Sequence, residues 1–176
     1  MNCPKCSHEV PIGQRNCPAC ETFIGFPNVR IASDPKEVGE LELRWKSAEA
    51  SAVARKCEKQ LLAFTTKVEN DSKAVISCSE LELLQMMESG RLKISYHRQI
   101  ESGQRQPEEN FWDQNRDTVD TKLFPGFKDD IVFAALSLDG KGIRGYGSAM
   151  ITLRSDLIED RAMVFHENSV VFVDKR

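Results

Sequence analysis

The sequence predicts an α+β protein in three parts: a small N-terminal cysteine module, a long helical connector, and a mixed, mainly antiparallel α+β domain. Three observations lead there. Four of the six cysteines fall in the first 20 residues as two Cys-x-x-Cys pairs. Residues 35–70 carry few helix breakers and an apolar repeat of three and four. From residue 71 onward, short alternating runs are separated by Gly-, Pro- and Asn-bearing turns. A chain of 176 residues fits one main domain plus an appendage, with parts at 1–26, 27–70 and 71–176. With 24 Lys+Arg against 27 Asp+Glu, the net charge of −3 argues against a strongly basic nucleic-acid surface, and 40% hydrophobic content against a wholly disordered chain. The longest apolar run, Ile131-Val132-Phe133-Ala134-Ala135-Leu136, is far short of the roughly 20 residues that cross a bilayer, so no membrane partner is expected. The N-terminus lacks a secretory pattern. A cytoplasmic location is therefore expected, with cysteines serving as metal ligands or free thiols.

The cysteine module consists of Cys3-Pro4-Lys5-Cys6 and Cys17-Pro18-Ala19-Cys20, ten residues apart. Each Cys-x-x-Cys can wrap a tight turn that points two thiolates at one cation, and two such turns complete the tetrahedral sulfur set that Zn²⁺ prefers. Proline after the first cysteine of each pair stiffens the turn, and Pro11, Ile12 and Gly13 supply a bend between the halves. Two disulfides or a redox-active pair form the competing reading, which the missing export signal disfavours. The segment resembles the short zinc ribbons at the start of many bacterial proteins, in which a glycine follows each Cys-Pro-x-Cys. Ser7 and Glu21 stand at those positions here. Four thiolates leave no open coordination position, so the metal is expected to be structural. His8 then reads as a surface residue, and Phe23, Ile24 and Phe26 as a cap on the module.

Residues 27–34 read as a connector ending in a helix start, with Ser33 or Asp34 as the cap and Pro35 in the first turn. Val38, Leu41, Trp45, Ala48 and Ala52 then recur at helical spacing, followed by a polar stretch and by Leu61, Leu62, Phe64 and Val68. One long helix, or two joined near residue 56, satisfies this pattern, and oligomerisation through helix 35–68 is a further expectation. Cys57 reads as a half-buried small residue. Residues 74–78 read as a strand, and Ser79-Glu80-Leu81-Glu82 as a capping box that opens a short buried helix stopped by Gly90. Residues 92–97 alternate like a strand, 109–122 suggest a helix, and Pro125-Gly126 marks a turn. A strand over 130–138 is expected to form a hairpin with 148–153 across the glycine-rich stretch 139–147, and two final strands are expected at 162–166 and 170–173.

The run from Ile131 to Leu136, then Gly145-Tyr146-Gly147-Ser148, Ile151-Thr152-Leu153, Arg161, Val164-Phe165 and Asn168-Ser169, resembles part of a bacterial toxin-type family related to ADP-ribosyltransferases. The resemblance covers about residues 74–173. It implies an ADP-ribosyltransferase-like fold, NAD as the bound molecule, and transfer of ADP-ribose. Under it, His97, Tyr146, Gly147, Ser148 and Arg161 are the residues expected to hold NAD. Glu167 is the candidate for the carboxylate that steadies the oxocarbenium-like charge. The first strand departs from the family pattern, with Ser77-Cys78 where a His or Arg is expected. Tyr146 between two glycines also suits a bent strand, and His166 next to Glu167 suits either a charge pair or a structural position. The alternative expectation is a non-catalytic zinc-ribbon adaptor that recruits a protein or nucleic acid, with the α+β domain as its scaffold.

Overall fold

A computed structural model describes residues 1–165 and 167–174; His166, at the end of the strand expected over 162–166, and Lys175-Arg176 lie outside the described residues. The described fold is mixed α+β. In chain order its elements are α1 (Pro27–Ala32), α2 (Pro35–Ala54), α3 (Glu58–Asp71), β1 (Lys73–Cys78), α4 (Glu80–Ser89), α5 (Tyr96–Glu101), α6 (Phe111–Leu123), β2 (Ala135–Ser137), β3 (Ala149–Thr152) and α7 (Ser169–Asp174). Among the described residues, no helix is long and apolar enough to cross a membrane. The chain divides into two compact units. The first gathers Met1–Val29, Met86–Phe133 and Arg161–Arg176, and the second gathers Arg30–Gln85 and Ala134–Asp160.

In the second unit, the Asp34 carboxylate accepts the Lys36 N–H at 2.9 Å, and Pro35 occupies the start of α2, where its missing N–H leaves no bond unmade. The connector expected over 27–70 holds three helices: α1 forms where a non-helical lead-in was expected, and the long helical stretch divides into α2 and α3. They join at Lys56, which turns the chain with φ +56, while Cys57 donates its N–H to the Ala52 carbonyl at 2.9 Å. The capping box forms at the start of α4: Ser79 N–H meets Glu82 Oε2 at 2.8 Å and Glu82 N–H meets Ser79 Oγ at 3.2 Å. Gly90 ends that helix with φ +63. The expected burial of α4 is corrected, because none of its residues is buried and Leu81 and Met87 are 65% and 73% exposed.

The sheet has the order β2-β1-β3, antiparallel throughout, with Val75 opposite both Ala135 and Thr152. This corrects the expected hairpin between 130–138 and 148–153. β1 is the apolar strand, with Val75, Ile76 and Cys78 almost wholly buried, and a central position satisfies the hydrogen bonds of both its edges. The segment between β2 and β3 consequently crosses β1 instead of closing a tight turn. Only three residues of the expected first hairpin strand join the ladder.

The first unit is built around Phe124, which is 2% exposed and packs edge-on against Phe127, Phe133 and Phe165 at centroid distances of 5.7, 5.9 and 6.0 Å. The expected α6 forms, capped by Asn110 accepting the Asp113 N–H at 2.9 Å. Gly126 makes the turn after it at φ +80. Two expected strands do not form: residues 92–95 join no strand, with a helix starting at Tyr96, and the stretch expected as the last strand is helical. Residues 96–101 form α5 because Ser95 caps it, its Oγ accepting from Arg98 N–H at 3.3 Å and donating to the Asp129 carbonyl at 2.6 Å. Residues 169–174 form α7, where Asn168 Oδ1 accepts the Val170 N–H at 2.9 Å and its carbonyl accepts the Phe172 N–H at 2.9 Å. Residues 162–165 join no strand.

Candidate metal centre

The two Cys-x-x-Cys turns are built alike. Ser7 N–H bonds the Cys3 carbonyl at 2.9 Å and Glu21 N–H the Cys17 carbonyl at 2.8 Å; Cys3 N–H reaches the His8 carbonyl at 2.8 Å and Cys17 N–H the Thr22 carbonyl at 2.9 Å. A bridge flanks each turn, Asn2 with Glu9 and Asn16 with Phe23. The equivalence is a repeat: Asn2-Cys3-Pro4-Lys5-Cys6 recurs fourteen positions later as Asn16-Cys17-Pro18-Ala19-Cys20. Sequence inspection found the cysteine spacing but not this longer repeat, which also pairs Val10 with Ile24. Val10 lies buried beside Cys3 and Cys17, and Ile24 packs against that group.

The four sulfurs lie within 4.8 Å of one another, with Cys3 to Cys20 and Cys6 to Cys17 each at 3.6 Å. Four sulfurs at about 2.3 Å from a tetrahedral Zn²⁺ stand about 3.8 Å apart, so the spacing fits such an ion. A disulfide, with sulfurs about 2.05 Å apart, is not formed; all four thiols are free. The cluster can therefore hold a metal ion such as zinc. Its electrostatics match that chemistry. The hydroxyl and amide of Thr22 draw the Cys20 thiol down to about 6. At Cys6 the His8 amide pulls the same way, but the Cys20 thiol, desolvation and the other two thiols outweigh it and push the group up to about 12. Each thiolate raises the cost of the next, a conflict that a divalent cation removes. Thr22 supports a ligand from outside the set, a role absent from the sequence reading.

The module is docked within the first unit. A Cβ on Gly13 would stand 2.7 Å from the Gly126 carbonyl oxygen, so the bend between the halves lies main chain to main chain against the Pro125-Gly126 turn. Phe26 has the guanidinium carbons of Arg15 and Arg161 at 5.3 and 5.0 Å from its ring centroid.

The residues that the resemblance assigned to NAD, and Glu167 as the catalytic carboxylate, fall in both units. His97, Arg161 and Glu167 belong to the first, and Tyr146, Gly147 and Ser148 to the second. His97 Nε2 is 2.8 Å from Asp120 Oδ2 and its Nδ1 is 3.7 Å from Asp117 Oδ1, with the ring side chain only 12% exposed. The Arg161 carbonyl accepts from Asn28 Nδ2 at 2.8 Å. Glu167 is half-buried just ahead of α7. Tyr146 ends a single 3₁₀ turn, and Ser148 Oγ donates to Glu80 Oε1 at 3.3 Å. Gly147 has φ +134, and a Cβ there would fall 2.1 Å from the Cys78 carbonyl. Compared with protein-family models, curated proteins and solved structures, the chain matches none.

Proposed function

We propose that Cys3, Cys6, Cys17 and Cys20 bind Zn²⁺ as four thiolates in a closed structural site, and that the chain is a non-catalytic zinc-ribbon adaptor. The four-sulfur cluster carries this reading: its spacing suits Zn²⁺, and its full sulfur set leaves no position for a substrate. The ion would supply folding free energy that about twenty residues cannot obtain by burial. Partner recruitment draws support from α2, where Glu40 to Ser51 are exposed on every face, Leu41, Leu43 and Trp45 among them. A helix carrying such residues in water gains most of its stability from packing, which a partner would provide. The net charge of −3 favours a protein partner over nucleic acid.

Cys17→Ser should abolish stoichiometric zinc binding, measured by elemental analysis of the purified full chain, and lower its melting temperature. Zinc content equal to that of the unaltered chain would refute the ligand assignment. The ADP-ribosyltransferase reading retains its sequence resemblance, but His97 and Gly147 already have structural work within their own units. NAD binding in a calorimetric titration would favour that reading over the adaptor.

A further inference from the structure

We propose that metal occupancy of the ribbon sets the order of residues 124–130 and of α5, through contacts made by Gly13 and Arg15. The inference rests on the zinc reading above and concerns the regulation of that site. Both contacts leave from the stretch between the two cysteine pairs. Gly13 meets the Pro125-Gly126 turn with no side chain between them; a Cβ on Gly13 would stand 2.7 Å from the Gly126 oxygen and 2.9 Å from its carbonyl carbon. Gly126 holds its side of the match at φ +80, a region that favours glycine. The two turns are thus fitted to each other as backbones, and displacement of one removes the surface that shapes the other.

Arg15 makes the second contact. Its Nη2 is 3.5 Å from Asp130 Oδ2, while its carbonyl accepts the Ile24 N–H at 2.8 Å, next to the Asn16–Phe23 bridge. The base of this side chain is therefore held by the closed second half of the ribbon. Asp130 offers its other oxygen to Arg98 Nη2 at 2.6 Å. Arg98 Nε and Ser95 Oγ both donate to the Asp129 carbonyl, at 2.9 and 2.6 Å. Ser95 caps α5. A continuous polar path consequently runs from the ribbon through Asp129 and Asp130 to the first turn of α5. An exposed ion pair contributes little alone, so the backbone fit at Gly13 supplies the constraint and Arg15 extends it. Without metal a module of this size has too little core to stay closed, and both contacts lose their base.

Hydrogen exchange read by mass spectrometry on the full chain tests the coupling, with zinc loaded or removed by excess chelator and zinc content measured in the same samples. Removal should speed exchange in peptides covering 95–101 and 124–130 by about fivefold or more, while peptides from β1 keep their protection. The doubly substituted Gly13→Ala, Arg15→Ala chain, held at saturating zinc and shown to contain it, should exchange fast in those same peptides. Loss of zinc without a change at 95–101 and 124–130 overturns the coupling and leaves the zinc reading standing. Wild-type exchange in the zinc-bound double variant also overturns it. A full chain that takes up no zinc overturns both.

Discussion

Ser7 and Glu21 hold left-handed backbone conformations, with φ +58 and +56, at the two places where the ribbon pattern that the segment resembles carries glycine. A side chain in that region costs roughly 1 kcal/mol through the contact between Cβ and the following carbonyl. Ser7→Gly and Glu21→Gly should each stabilise the zinc-loaded chain by about 0.5–1 kcal/mol, read from thermal melting at fixed zinc. His97 gives the opposite case. Its partner Asp120 has a side chain only 3% exposed, and burial pushes that carboxyl up, with His97 pulling it partly back. His97→Ala would strand a buried carboxylate, at a cost of about 3 kcal/mol, whereas Asp120→Asn should cost less because the amide carries no charge to bury. The pH response follows in sign. Folding raises the pKa of Asp120, so its contribution is present below the ordinary carboxylate range and is lost as pH rises through the raised value. The deficit of His97→Ala should therefore shrink on acidification, as measured by urea midpoints from about pH 7 down to about pH 4. Asp117 runs the other way: its bond to Lys128 holds it below the ordinary range, and its small, solvent-screened contribution fades as pH falls through the lowered value.

Among elements, the glycines of the second unit separate two kinds of position. Gly147 crosses β1 so closely that a methyl group would overlap the Cys78 carbonyl, and its φ of +134 admits few other residues. Gly147→Ala should destabilise by about 3 kcal/mol or more. Gly39 lies inside α2 with nothing within 4 Å of its added Cβ, so Gly39→Ala should stabilise by about 0.5–1 kcal/mol. Chemical denaturation of the two variants checks both signs. The elements legible in the sequence are those with local causes. The cap at Asp34, the box at Ser79 and Glu82, the stop at Gly90 and the paired cysteines each act over a few residues. The misread elements depend on distant groups. Alternation at 92–97 looks like a strand, but the Asp129 carbonyl, 34 residues away from Ser95, receives its hydroxyl, residues 92–95 join no strand, and a helix starts at Tyr96. The β-branched run before Asp174 becomes helical in a unit where Phe172 meets Phe165 at 5.6 Å. Alternation also says which residues make a strand but not which strand lies beside it, so the ladder on both edges of β1 was illegible.

At the scale of the whole molecule, the expected association through α2 is open to test. Val38, Leu41, Trp45, Ala48 and Ala52 follow a coiled-coil spacing, and the first three are exposed while Ala52 is buried. If α2, the first of the two helices into which 35–68 divides, mediates self-association, Leu41→Glu with Trp45→Glu should shift sedimentation from dimer to monomer without loss of zinc; a monomer before substitution would refute it. The four-cysteine cluster was legible in the sequence, because two Cys-x-x-Cys pairs at this spacing can be brought together without reference to the rest of the fold. Its docking was not, since Gly13 and Arg15 gain meaning only from Gly126 and Asp130, more than a hundred positions away.

The Asn28 side chain bonds the Arg161 carbonyl across 133 residues of sequence, and Phe124 needs Phe165 to close its aromatic group. The first unit is thus interrupted twice by segments of the second. A ribosome releases the cysteine ribbon long before Arg161 and Phe165 emerge, so zinc capture can precede assembly of the unit that houses it. During that interval Phe124 stands without Phe165. A nascent chain stalled ahead of residue 161 would leave the Phe124 ring short of that contact, so the first unit closes only after its last segment is made.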